Sequence, residues 1–496
     1  MSFLSLHFAA MVAVLFFFYY ILPKRFQPCL LLAGSLYFYY RCSGMLLLVM
    51  AATSLVAFLA GRLLHKYRQP ETEKSSKKQL FSGKILCGLS VFLLLLPLVM
   101  LKYSSFFLRF IGSDNVSSNT FNTITSIGLP IGISFYTLQL ITYCVDIYRG
   151  KYAPETGFLH FLLFTSFFPQ ILQGPIPRYE ILSNTLFARH EFEPKTVTEG
   201  FWKLLGGIAL KLLIADKAGI FVDAVFNTDE VFSGIVYLTA GILYSFQLYA
   251  DFLSCVLLAQ GVALLFGIRL SENFAQPYFA SSIQDFWRRW HISLSSWLRD
   301  YVYIPLGGNR KGASRTKYNL LITFLVSGLW HGSGFKYLFW GLMHGCYQVA
   351  GKLLLPLRDR FFCASHCPDK ARILLKRITT FILVMFAWII FRANSLRDGL
   401  YALYAIVFDF QPVRFVDGGL LPFGLNIPEF VVLFLCIAVL LYIDYNATQQ
   451  KSLFQSILTL SRTKQFLLAL VLLLCITIFG TYGFGYDANS FIYGGF

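Results

Sequence analysis

The chain has 496 residues, of which 56% are hydrophobic and 18% aromatic, while only 14% are charged. An ordinary soluble domain carries roughly 25% charged residues, so this composition excludes a water-soluble globular protein. The formal net charge of +17 sits in loops between apolar runs rather than on one basic face, which excludes nucleic acid as the expected partner.

In chain order, the first apolar run is Met1–Pro23, followed by Lys24 and Arg25. A cleaved signal peptide has its positive charge before the apolar core, so this run is expected to be a retained first helix with its N-terminus outside. Uncharged runs long enough to cross a bilayer, about 20 residues, recur at Cys42–Gly61, Asn115–Val145, Thr156–Pro177, Val231–Ala250 and Gln465–Tyr486. Shorter ones lie at Ile85–Leu101, Phe252–Ile268, Tyr318–Phe335, Ile378–Phe391 and Phe430–Ile443. The pattern predicts an all-α, polytopic membrane protein with on the order of eleven spanning segments and a few re-entrant or interfacial helices. With no long linker, residues 1–496 read as a single membrane domain.

Three basic loops punctuate the apolar runs. His65–Lys84 has six Lys/Arg against two Glu, Asp285–Lys317 seven against two Asp, and Lys352–Arg377 seven against two Asp. Such loops are retained in the cytoplasm during insertion and favour anionic headgroups, so the bilayer is an expected partner. Arg178–Lys203 mixes both charge signs with apolar residues and is expected along the interface. Most of the ten cysteines lie in apolar runs, where they act as small hydrophobes. Cys363–Cys367 (CASHC) offers three ligands in five residues with no fourth nearby, and a structural zinc site needs four at wider spacing. No metal site is expected.

The densest polar chemistry lies in Phe286–Gly312, FWRRWHISLSSWLRDYVYIPLGGNRKG. Drawn as one helix, Trp287, Trp290, Leu294 and Trp297 share a face, while Arg288, His291, Ser295 and Arg299 share an adjacent one. The indoles suit an anchor at headgroup level. That explains the tryptophans and most of the arginines, but His291 is neither a good anchor nor a good helix former. At this point it remains either part of the anchor or a functional residue. The glycine turn after Pro305 lacks the spacing of a phosphate-binding loop.

Ser327–Gly334 (SGLWHGSG) sets His331 in an uncharged run among small residues. Ionisable residues at membrane depth usually face a cavity, and a neutral imidazole is the form a general base requires. His331 is therefore the first catalytic candidate. The sequence Gly328–Gly332 (GLWHG) echoes at Gly341–Gly345 (GLMHG), where His344 reads better as a hydrogen-bonded link between helices. Asp146 and Asp251 border apolar runs and could orient a histidine, cap a helix or pair with a nearby arginine. No G-x-S-x-G, H-E-x-x-H or G-x-G-x-x-G pattern occurs, which leaves histidine as the catalytic side chain and direct transfer between two bound substrates as the expected chemistry.

Phe286–Asn309 followed by Gly328–Gly332 resembles the membrane-bound O-acyltransferase family, on its alginate O-acetylation branch. Leu129–Gly150, Phe167–Pro175 (FFPQILQGP), Glu272–Tyr278 (ENFAQPY) and Phe491–Tyr493 extend the resemblance over most of the chain. It implies a ring of helices, thin in the middle, with funnels from both faces meeting near His331. It also implies catalytic roles for His331 and His291, with Arg288, Ser295 and Arg299 lining a donor entrance. The implied co-substrate is a cytoplasmic thioester, acetyl-CoA or an acyl-carrier protein, with no tightly bound cofactor. The implied setting is a bacterial cell membrane, with O-acetylation of an alginate-type polysaccharide and an esterase-fold partner outside. Two departures stand out. Asp251–Leu257 (DFLSCVL) lacks a second acid that the family often has there, and the chain closes as Phe491–Phe496 (FIYGGF). D-alanyl transfer to teichoic acid, or a transporter whose histidines relay protons, are the alternative expectations; a transporter would favour internal repeats and broken helices.

Overall fold

A computed structural model describes residues 2–67, 77–111, 128–171, 174–364, 368–415, 417–449 and 452–483. The described residues form helices, short helical turns and loops, with no strand among them. Among the described residues six helical stretches are long and apolar enough to cross a membrane, so the chain is an all-α, multi-pass membrane protein. The stretch Lys24–Lys66 holds two of the helices below, because it breaks at Gly44. Part of the loop His65–Lys84, the first residues of the run Asn115–Val145, part of the Cys363–Cys367 cluster and Phe491–Phe496 lie outside the described residues.

Two compact units emerge. The first comprises Met1–Leu204 and Leu258–Ser271. Its helices are α1 (Leu6–Ile21), α2 (Gln27–Ser43), α3 (Leu47–Lys66), α4 (Lys77–Ile111), α5 (Ile133–Tyr148), α6 (Phe158–Ser166), α7 (Phe168–Ile171), α8 (Tyr179–Leu186) and the start of α9 (Pro194–Ala209). The run Thr156–Pro177 is thus broken into α6 and α7 at the extended Phe167. Several buried polar side chains in this unit have polar partners. Gln139 donates to the Phe164 carbonyl at 2.8 Å, and Lys203 donates to Gln260 at 2.9 Å. Asp146 pairs with Lys151 at 2.9 Å. An ion pair was one of its three sequence readings, though with an arginine rather than this lysine.

The second unit comprises Leu205–Leu257 and Glu272–Asp487. A π-helical turn, Leu210–Ala215, leads into α10 (Asp216–Phe226), and α11 (Gly234–Leu265) follows, its last turns belonging to the first unit. Then come α12 (Ile283–Arg289), α13 (Ile292–Leu298), α14 (Gly312–His331), α15 (Phe335–Leu353), α16 (Leu355–Ala364), α17 (Asp369–Arg392) and α18 (Leu396–Phe408). The unit closes with α19 (Ile427–Thr448), α20 (Leu453–Leu458) and α21 (Arg462–Phe479).

The π turn has a visible consequence. A π-helical turn takes an extra residue and shifts the side chains that follow it. Here it carries Lys211 between Asp251, at 2.7 Å, and Asp216, at 2.8 Å, with lysine and Asp251 each 1% exposed. Asp251 is therefore committed to an ion pair, with a lysine rather than the arginine expected from the sequence. Removing one partner from a buried ion network strands the rest, at a cost of about 3–5 kcal/mol. Lys211→Met should accordingly lower the unfolding temperature of the detergent-solubilised chain far more than Asp251→Asn, which leaves Lys211 paired with Asp216. Melting curves of the two variants beside wild type check the order.

Candidate active site

The predicted continuous helix from Phe286 to Arg299 does not form. Ser282 caps α12 by accepting from the Asp285 amide at 3.1 Å, and the helix ends at Arg289. Trp290 is extended and His291 is left-handed (φ 44, ψ 55) before α13 begins. A left-handed non-glycine residue costs roughly 1–2 kcal/mol, and it also frees backbone groups in a buried place. His291 and Trp290 are each only 1% exposed, so those groups need partners.

The segment after Glu272 supplies them. The Asn273 carbonyl accepts from the Ile292 amide at 3.0 Å, and the Ala275 amide donates to the Arg289 carbonyl at 2.9 Å. The Asn273 side-chain oxygen accepts from the Ser293 amide at 3.0 Å and from the Ser293 hydroxyl at 2.9 Å. Ser295 closes the break from the other side, its hydroxyl donating to the Trp290 carbonyl at 3.1 Å. A buried splint therefore holds the bend, and the stretch Glu272–Tyr278, quoted above only for its resemblance, acquires a physical role.

The splint also sets the chemistry of His291. Because Asn273 Oδ1 takes the Ser293 N–H, Asn273 Nδ2 is the atom left facing His291 Nδ1, at 3.3 Å. An amide nitrogen only donates, so Nδ1 accepts and the ring proton resides on Nε2. Protonating Nδ1 would set two donors against each other. Burial acts in the same direction and pushes the His291 pKa down to about 3. His291 is a neutral imidazole bearing an Nε2–H donor.

The bend corrects two expectations. The three indoles of this segment are not a headgroup anchor, for Trp287, Trp290 and Trp297 are all buried. Trp290 packs against Phe274, Phe286 and Trp388, with ring centroids 5.0–5.5 Å away. Nor is there one polar face joining Arg288, His291, Ser295 and Arg299. Arg288 and Arg299 are exposed, Arg299 pairing with Asp300 at 2.8 Å, and Ser295 is used on the break. A period-3.6 projection cannot anticipate a left-handed residue, which is why the grouping failed.

His331 is the last residue of α14 and is 3% exposed. Its ring meets Trp340 at 5.0 Å and Phe391 at 5.3 Å, both edge-on. Glycines set this approach. A Cβ on Gly328 would lie 2.3 Å from the Tyr337 carbonyl oxygen, and one on Gly341 equally close to that of Phe324. The GLxHG echo is thus the crossing point of α14 and α15, where backbones touch as small residues permit in membranes. His344, on α15, accepts from the Trp287 indole at 3.3 Å, the interhelical link expected of it.

The two candidate histidines converge on one indole. Trp330 lies 5.9 Å from the His291 ring and 4.8 Å from that of His331. Trp330 is half-buried, and Phe252 stands edge-on to His291 as Trp340 and Phe391 do to His331. Asn273, Trp340 and Phe391 escaped sequence reasoning, since an asparagine in a loop and two aromatics among many carry no periodic signal. Among the described residues no cluster could hold a metal ion.

The membrane-bound O-acyltransferase family model matches residues 154–394, which include both histidines and their splint. A probable alginate O-acetylase of Pseudomonas aeruginosa is 40% identical over 289 residues, 58% of this chain and 53% of that protein. A peptidoglycan O-acetyltransferase of Helicobacter pylori is 35% identical over 336 residues, covering 62% and 61%. A teichoic acid D-alanyltransferase of Bacillus subtilis is 30% identical over 291 residues, covering 55% and 70%. The chain spans little more than half the length of the alginate O-acetylases it matches.

Asn273→Asp tests the tautomer. The carboxylate still accepts from Ser293 but also demands a proton on His291 Nδ1. Nitrogen NMR of the histidine-labelled protein should show the ring proton moved from Nε2 to Nδ1. The imidazole should also titrate above its wild-type value of about 3, because a neighbouring carboxylate favours the charged ring.

Proposed function

The chain belongs to the membrane-bound O-acyltransferase family, and from that premise we propose that it transfers acyl groups, acetyl above all, from a thioester to a hydroxyl of a cell-surface polysaccharide. The observation that carries this reading is the meeting of two buried imidazoles on Trp330, one of them a neutral donor. The names of the alginate and peptidoglycan relatives support acetyl as the group and a polysaccharide as the acceptor.

The division of roles follows from protonation. His291, held as an Nε2–H donor, suits the developing oxyanion on the thioester carbonyl; one such donor is worth about 100- to 1,000-fold. His331 serves as the base. It takes the hydroxyl proton as the oxygen attacks, the carbon–sulfur bond breaks, and the proton passes to the departing thiolate. The thioester is already activated, so positioning and one proton transfer suffice. The donor is acetyl-CoA or an acyl-carrier protein at the cytoplasmic face of a bacterial cell membrane. The accepting hydroxyl is either the polymer's own or that of an esterase-fold partner outside, which then passes the group to the polymer.

A second reading, D-alanyl as the cargo, is favoured by one observation. The D-alanyltransferase relative is matched over 70% of its length, more than the alginate relatives. Supplying membranes with labelled acetyl-CoA or with a D-alanyl-loaded carrier separates the two. Label entering polymer without net solute flux excludes a transporter.

In that assay His331→Ala should lose about 100- to 10,000-fold of transfer, and His291→Ala about 100-fold or more. His344→Gln, which keeps an acceptor for the Trp287 indole, should stay within a few-fold of wild type, about what a rotated buried hydrogen bond costs. Equal membrane abundance of all three is the control. Near-normal transfer by the His331 variant would remove the base from the mechanism.

A further inference from the structure

The first unit contains a cavity of about 410 Å³, remote in the chain from the histidines and used by no step above. Its lining has two arginines, Arg189 and Arg269, and two carboxylates, Glu191 and Glu193, with Tyr20 and Phe192 at one side. Cavities of this size are the usual scale for a small-molecule group.

The cavity is a built one. Gln27, 2% exposed, clasps its wall: the side-chain amide donates to the His190 and Tyr19 carbonyls, and its oxygen accepts from the His190 amide. The His190 ring is fixed by the Thr185 carbonyl, 2.7 Å from Nε2. Gly267 (φ +77) completes the floor, where a Cβ would lie 2.7 Å from His190 Nδ1. Both the left-handed backbone and the space require glycine.

Charge narrows the occupant. Arg269 pairs with Glu199 at 3.2 Å, Glu191 with Lys24, and Glu193 accepts from Thr196 through one oxygen, leaving the other. Arg189 is exposed and makes no hydrogen bond or ion pair among the described residues. An uncommitted guanidinium suits a phosphate, yet the two carboxylates oppose a diphosphate or any multiply charged anion. A ligand with one phosphate and one ammonium satisfies both halves.

Position identifies its source. Tyr20 stands at the end of α1, whose Phe17, Phe18 and Ile21 are exposed, and the charged Lys24 and Arg25 follow. That change from apolar to charged marks headgroup level. Phe16, Tyr20 and Phe192 form an aromatic ledge there, with centroids 5.3–6.3 Å apart, which suits the glycerol and upper acyl chains. We propose that this cavity binds the headgroup of phosphatidylethanolamine, Arg189 taking the phosphate and Glu193 the ammonium. The site is independent of the acyl-transfer reading.

The test is native mass spectrometry of the full chain in detergent, with phosphatidylethanolamine, phosphatidylglycerol or phosphatidylcholine added in turn. Wild type should retain phosphatidylethanolamine about tenfold better than either other lipid, the equivalent of one charge-assisted contact. Arg189→Ala should lower that retention about tenfold. Because Arg189 is exposed and unbonded, this variant keeps the fold. Glu193→Gln retains an acceptor for Thr196 and should abolish the preference over phosphatidylglycerol. Equal retention of the three lipids by wild type overturns the proposal. So does unchanged selectivity in both variants, and so does soluble phosphoethanolamine displacing the lipid at equal concentration, which would make the ligand a free phosphate ester.

Discussion

A buried backbone break must find partners for its freed N–H and C=O groups, and the second unit is arranged around one such break at His291. Asn273 meets that demand twice, through its carbonyl and its side-chain oxygen, and makes a further contact through its side-chain nitrogen. The last of these contacts is the one that reaches the imidazole. The group that makes the bend tolerable is also the group that chooses the tautomer. A substitution that removed the splint would therefore change structure and protonation together, whereas one that kept the oxygen and reversed the nitrogen would change protonation alone.

The same constraint governs the rest of this apolar chain. Lys211 is acceptable in the interior because two carboxylates reach it, and it reaches them because the helix takes a π turn at Leu210–Ala215. Net ion-pair energy in such places is small, since desolvation offsets much of the attraction. What the pairing supplies is geometric definition. It ties the π turn to α11 one residue before Phe252, whose ring stands edge-on to His291 at 4.8 Å. The charged network is thus linked through the backbone to the wall of the site without entering it.

How much of this was legible in the sequence depended on whether the signal was periodic. Apolar runs are periodic or continuous, and the helices of the membrane region were readable from them. His331 was readable because an ionisable residue among glycines in an apolar run is conspicuous without any model of the fold. The GLxHG echo was visible too, though its meaning, two backbones in contact, needed the partner helix. The bend at His291 was hidden, because three tryptophans and three basic residues at helical spacing imitate an amphipathic helix well. Nothing in the segment announces a left-handed residue; the cause lies 18 residues upstream, in Asn273. Long-range hydrogen bonds leave no local pattern, and the grouping of Arg288, Ser295 and Arg299 with His291 fell for that reason.

The two histidines differ in a way that bears on the proposed transfer. His291 has a polar partner at Nδ1, and the ring of His331 meets aromatic edges from Trp330, Trp340 and Phe391. A locked neutral ring can offer one fixed donor and little proton exchange, which suits stabilisation of charge. In the proposed transfer the ring walled by these aromatic edges is the one that accepts a proton and then gives it up. Both rings meet the same indole, so the two roles can act on one reacting group. The separation is economical in a membrane, because neither role then requires a buried charge in the resting site; positive charge arises at His331 only while the proton is in transit.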